Sequence, residues 1–275
     1  MKNKKYMNLI LAVLIIVFVT SAVRIISIQS MYSKDTSEYQ EMQKKLQSAS
    51  SIESINSSQN SEFDVLSEIK QTEQNEKLKL LKEENEDFLG WLSIEGTNIN
   101  YPVMASPHNP ELYLRKNFKK EYSLSGTPFT ADGISDDCDN LLVHGHNMKN
   151  GTMFSDLLKY MDESYCKEHS KITFETPEKI YTYQIIGVFP TEITAESGRT
   201  KFLYYNYSGD LSEELFDEYI ENVMAESLYD TGETAQYGEQ LLTLSTCAYH
   251  ANNGRFVVVA HQILDYWFVN DVLQN

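Results

Sequence analysis

Hydrophobic residues divide the chain into four kinds of segment. From Tyr6 to Val23 the sequence is uncharged and dominated by Leu, Ile, Val and Phe, and Ile25, Ile26 and Ile28 extend the run beyond Arg24. At 1.5 Å per residue such a helix crosses a hydrocarbon core of about 30 Å, with Arg24 snorkelling to the interface. Residues 29–61 then turn polar. "SASSIESINSSQNS" has neither a helical nor a strand period and reads as a stalk. Over 62–88, Phe63, Leu66, Ile69, Leu78, Leu80 and Leu81 return at roughly helical spacing. Ser61 and Asp64 form a candidate capping box. One or two helices are expected there.

From 89 to 275 the period shortens to that of strands. "WLSIEGTNINYPVMA" predicts strand–turn–strand, and "NLLVHGHN" a short strand ending in a turn. "KITFETPEKIYTYQIIGVFPTEIT" predicts a hairpin around Pro177. "EQLLTLSTC" and "RFVVVAHQIL" predict two more strands joined by the turn-rich "AYHANNG". Helices are expected at about 152–166 and 211–228. Many short strands with few helices indicate a mainly β fold, a small closed barrel or a sandwich.

Charge sharpens the picture. The chain carries 23 Lys and Arg against 40 Asp and Glu. Lys2, Lys4, Lys5 and Arg24 all lie in the first 28 residues, so the remainder stands at −21. So acidic a domain lacks the basic footprint of a nucleic-acid binder. The lysines before the apolar run place residues 1–5 in the cytoplasm and the domain outside the cell. A cleaved signal peptide has the same basic start, but this apolar run is longer than a usual signal core of about 7–15 residues.

Candidate chemistry gathers at three places. In "LLTLSTC", Leu242 and Leu244 face one side of the strand, while Thr243, Ser245 and Cys247 face the other. Cys247 therefore ends a rigid strand on its polar side, where a nucleophile needs to be. A thiol needs a base or a positive neighbour to act as a thiolate. His144 and His146, in "VHGHNM", follow an apolar strand and are the candidate partners. His250 is a weaker rival, His108 and His169 are expected to be exposed, and His261 to be structural. Arg255 opens the last strand, shares a face with Val257 and Val259, and is folded back toward Cys247 by the intervening turn. There it can stabilise a developing oxyanion. His144 and His146 also have the spacing of a zinc chelate on a strand, but no HExxH or CxxC motif supplies a third ligand. Cys138 and Cys166 have no motif spacing, and whether they pair stays open.

"TLSTC" followed by Arg255, with "GHNMKNGTMF" upstream and "NINYPV" after "GWLSIEGT", resembles the sortase family, specifically its class B. The resemblance covers about 86–264. It implies an eight-stranded β-barrel with peripheral helices and no cofactor or metal. It implies cleavage of a C-terminal sorting motif in secreted proteins, and transfer of the new end to an amine of the peptidoglycan precursor or cell wall. Carried over by motif, Cys247 is the nucleophile, His146 the proton-transfer group and Arg255 the oxyanion stabiliser, while Ser245 and Thr246 shape the substrate pocket. His144 stands where the similar sequences usually have Tyr. A plain cysteine peptidase shares the same three residues, and a non-catalytic anchored binding module would make Cys247 a core residue.

Overall fold

The computed structural model describes residues 2–47, 74–130, 134–192, 202–248 and 254–263. Eight strands close into a barrel: β1 (Phe88–Ser93), β2 (Asn100–Ala105), β3 (Phe129–Thr130), β4 (Asn140–Gly145), β5 (Lys171–Glu175), β6 (Ile180–Glu192), β7 (Leu241–Cys247) and β8 (Gly254–Gln262). Their order around the barrel is β1-β2-β3-β4-β7-β8-β6-β5, and β5 returns to β1. The pairs β2/β3 and β4/β7 are parallel and the rest antiparallel. The expected closed barrel is thus present, and the strand–turn–strand, hairpin and C-terminal strand pair all fall where the period of two put them. Strand β3, only two residues long, was not anticipated.

Alternation along β4, β7 and β8 builds two separate cores. Leu141 and Val143 of β4, Leu242 and Leu244 of β7, and Phe256 and Val258 of β8 fill the barrel interior. Their neighbours Leu142, Leu241, Val257 and Val259 face outward but are buried under a second layer. That layer is α4 (Glu213–Glu226) and the 3₁₀ turn Tyr204–Tyr207. The α4 helix starts at Ser212, whose hydroxyl accepts from the Leu215 N–H, and buries Phe216, Tyr219, Ile220 and Val223 at helical spacing. The helical segment expected at 152–166 is a 3₁₀ helix, Phe154–Met161, followed by α3 (Glu163–Glu168).

The N-terminal region departs most from expectation. Helix α1 runs without a break from Lys2 to Gln47, about 70 Å at 1.5 Å per residue. Its large apolar side chains from Tyr6 to Ile28 are exposed, and this stretch is long and apolar enough to cross a membrane. Residues 29–47, expected as stalk, continue the helix and pack on the barrel. Tyr39, Met42 and Leu46 are buried there together with Leu78 of α2 (residues 74–84), Trp91 and Tyr101. The rest of the expected stalk, 48–61, and the candidate capping box lie outside the described residues, as does the first part of the 62–88 helical segment.

Candidate active site

Three neighbouring strands set the geometry. In the order β4-β7-β8, His144 pairs with Ser245 and Ser245 with Val257. One residue on, Gly145 pairs with Thr246 and Thr246 with Phe256. At the next level Cys247 pairs directly with Arg255, and the chain leaving β4 reaches His146. Residues 142 and 144 share the outward face with 245, 247, 255 and 257, because Leu142 and Val257 lie in the outer core, and His146 follows just past the end of β4. Strand spacing is about 4.8 Å, so Cys247 sits in the middle strand, with Arg255 on one side and the His146 position on the other. The loop after β4 is tied to β7, since Asn147 Nδ2 donates to the Cys247 carbonyl at 3.0 Å.

Cys247 is partly exposed and free, whereas Cys138 and Cys166 are buried free thiols packed with the inner core cluster. Burial pushes the Cys138 thiol up to about 12, which keeps it protonated and inert. His146 is half-buried. Its Nε2 lies 2.9 Å from the Leu114 carbonyl. A carbonyl only accepts, so Nε2 carries the hydrogen and Nδ1 keeps its lone pair. Burial lowers the imidazole pKa below its ordinary value; the Leu114 carbonyl opposes that shift and Arg115 adds to it. Gly145 permits the close packing behind this loop: a Cβ there would stand 2.5 Å from the Phe154 ring.

The polar face of β7 is less open than the sequence suggests. Thr243 and Ser245 are buried, with Thr243 bonded to Asn140 and Tyr219. Tyr204 Oη meets Ser245 Oγ at 2.7 Å, and Tyr204 lies within electrostatic reach of both Arg255 and Cys247. Thr246 is buried too and donates to the Gly145 carbonyl. The hydroxyls of Ser245 and Thr246 are thus engaged within the protein: Ser245 lies on the outward face that carries Cys247, and Thr246 on the opposite face. Tyr204, Asn147 and the Leu114 carbonyl were missed by sequence reasoning. "FLYYNY" carries no catalytic pattern, although Asn147 lies inside the motif that pointed to His146.

His144 lies one pairing step of the same face below Cys247, about 6.6 Å down the strand, with the Phe129 ring 5.7 Å away. Burial, then Arg255, hold its pKa down at about 4. Among the described residues no three His, Cys, Asp or Glu side chains group as a metal site, so no third ligand joins His144 and His146 there. His108 is exposed as expected. His169 is not: it is half-buried against the Tyr165 ring and its Nδ1 bonds the Glu95 carbonyl at 2.8 Å. His261 pairs with Glu239 near the far end of β8, and His250 lies outside the described residues.

The depressed pKa of His144 has a stability consequence. Unfolded, this imidazole takes up a proton near 6.5; folded, it stays neutral down to about 4. The unfolded chain therefore binds more protons in this window, and stability falls as pH drops from 6.5 toward 4. The loss is about 2–3 kcal/mol at one pKa unit per 1.36 kcal/mol. Urea unfolding at pH 7.5 and 4.5 should show that His144→Gln loses less stability on acidification than the wild type by this amount. Parallel losses would show that His144 protonates freely in the folded state.

A family model described as the sortase domain matches residues 92–263. The chain belongs to the sortase family. Within it the matches point to class B. Sortase B of Listeria monocytogenes is 31% identical over 172 residues, which span 62% of this chain and 66% of that protein. The X-ray structure of a mutant form of Clostridium perfringens sortase B is 32% identical, with a TM-score of 0.62 over 72% of this chain and 92% of that one. A Staphylococcus aureus sortase B–substrate complex is 26% identical, with a TM-score of 0.58 over 69% and 85%. This class B sortase shares with them the barrel on which Cys247, Arg255 and the His146 loop are arranged.

Proposed function

We propose that this sortase is a membrane-anchored cysteine transpeptidase. It cleaves a C-terminal sorting motif of secreted proteins and transfers the acyl end to an amine of the peptidoglycan precursor or cell wall. The observation that carries the reading is the placement of Cys247 between Arg255 and the loop of His146, on one face of three adjacent strands.

The Cys247 thiolate attacks the scissile carbonyl, and its sulfur forms a bond to the carbonyl carbon. Arg255 donates to the resulting oxyanion; loss of one such donor typically costs about 10²–10³-fold in rate. The His146 imidazolium gives its proton to the leaving amine, and the C–N bond breaks, leaving a thioacyl-enzyme. An incoming amine, deprotonated by His146, attacks that thioester. The new amide forms and Cys247 leaves as thiolate. The buried bonds of Ser245 to Tyr204 and of Thr246 to the Gly145 carbonyl, on opposite faces of β7, hold the cysteine strand in register during both steps.

The exposed apolar stretch of α1 is the proposed anchor, with Lys2, Lys4 and Lys5 on the cytoplasmic side and the barrel outside the cell. Anchoring concentrates the enzyme where secreted substrates emerge.

The test is turnover of a peptide library by the full chain, with and without amine acceptors, read by mass spectrometry. Ligated peptide that appears only with the acceptor, with ping-pong kinetics, is the expected result. Hydrolysis at the same rate, without ligation to any acceptor, would establish a peptidase instead.

A further inference from the structure

The carbonyl that takes the His146 Nε2 hydrogen belongs to Leu114, in a 3₁₀ turn (Leu112–Arg115) at the start of a loop running to residue 127. That loop folds back on itself. The Ser123 N–H donates to the Arg115 carbonyl, and the Thr127 N–H to the Tyr113 carbonyl. Gly126 has φ +62°, and a Cβ on it would stand 2.6 Å from the Tyr113 oxygen and 2.8 Å from the Leu114 oxygen. The backbone at Gly126 therefore lies directly against the carbonyl that His146 uses.

Helix α1 holds the other side of this loop. Asp35 is 4% exposed and Tyr39 2%. A buried carboxylate on a surface helix requires a partner. Asp35 Oδ2 accepts from Ser123 Oγ at 2.6 Å, and the same Oγ accepts from the N–H groups of Ser125 and Gly126. The Tyr39 hydroxyl reaches the Gly126 carbonyl at 2.9 Å and Thr127 Oγ1 at 2.8 Å. We infer that the segment of α1 just beyond its apolar stretch is a positioning element for the active-site imidazole. Asp35 and Tyr39 hold the 112–127 loop in the shape that presents the Leu114 carbonyl to His146. The path from Tyr39 through Gly126 to that carbonyl involves no other element. The inference rests on the reading of His146 as the proton-transfer group. It makes the anchor helix part of the catalytic frame as well as a tether.

The experiment uses the full chain in detergent micelles, with ¹⁵N-labelled histidine and the single variants Tyr39→Phe, Asp35→Ala and Asp35→Asn. In the wild type His146 shows the ¹⁵N shifts of the Nε2–H tautomer. In Tyr39→Phe and Asp35→Ala a mixture of tautomers is expected. So is a fall in kcat of about 10-fold with KM little changed, since small misplacements of a catalytic group are costly. Asp35→Asn keeps an acceptor oxygen and should recover most of the rate. Where Asp35→Ala fails to fold, Tyr39→Phe, which removes one oxygen atom, decides. A pure Nε2–H tautomer together with unchanged kcat in folded Tyr39→Phe overturns the inference. The tautomer is read without turnover, so the two readings fail separately: an intact kcat in His146→Ala would refute the proton-transfer reading alone.

Discussion

Replacing Cys247 with Ala should abolish both peptide cleavage and amine transfer, a fall of about 10⁵-fold or more in kcat, as for loss of a catalytic nucleophile in general. Both half-reactions pass through one sulfur, so no partial reaction survives. The fold should hardly notice. Cys247 is the last residue of β7 and partly exposed, and its backbone contacts, the Asn147 side chain and the pairing with Arg255, do not involve the sulfur. A change in unfolding free energy within about 1 kcal/mol is expected. Labelling of the wild type by a thiol-reactive peptide analogue, absent from Cys247→Ala, checks the same atom without turnover. Cleavage retained by the variant would remove Cys247 from the chemistry and with it the transpeptidase reading.

The second large effect separates the two histidines. His146→Ala should lower kcat/KM by about 10²–10⁴-fold, the usual contribution of a positioned acid–base group. His144→Ala should cost less than about 10-fold, because its imidazole lies one pairing step away from the sulfur on the same face and stays neutral. The pH profile adds a sign. The productive state holds one proton between sulfur and imidazole, and acid adds a second. The acid limb of kcat/KM therefore follows His146, whose pKa burial lowers below 6.5. A limb below that value in the wild type and in His144→Ala is expected. Equal and slight losses from both variants would contradict the choice of His146.

The His144/His146 choice shows how sequence and structure divide the work. The two imidazoles lie two residues apart at the end of β4, and the spacing alone treats them alike. The pairing register separates them: His144 lies opposite Ser245, and His146 is carried past the strand end to the level of Cys247. The polar face of β7 is a second case. Thr243 and Ser245 read as an open surface, yet Tyr219 and Tyr204 cover them. Those tyrosines lie 24 and 41 residues away in the chain, in segments whose own pattern announces only a helix and a turn.

Helix 29–47 is the clearest miss. Its buried positions, Asp35, Tyr39, Met42 and Leu46, recur at spacings of four, three and four, a helical stripe. One of the four is a carboxylate and the rest of the segment is polar, so the stripe is faint until the surface it meets is known. Asp35 is tolerated there only because Ser123, 88 residues on, faces it.

By itself the sequence determined every strand but β3, the apolar N-terminal helix, and the cysteine, histidine and arginine motifs. These follow from local period and residue chemistry, which each segment carries alone. The tertiary structure decided how the two histidines are placed beside the cysteine strand, what covers the polar face of that strand, and how α1 joins the barrel. Those features depend on register between distant strands and on backbone groups such as the Leu114 carbonyl. Every residue has such a group, so no side-chain pattern can mark the one that matters.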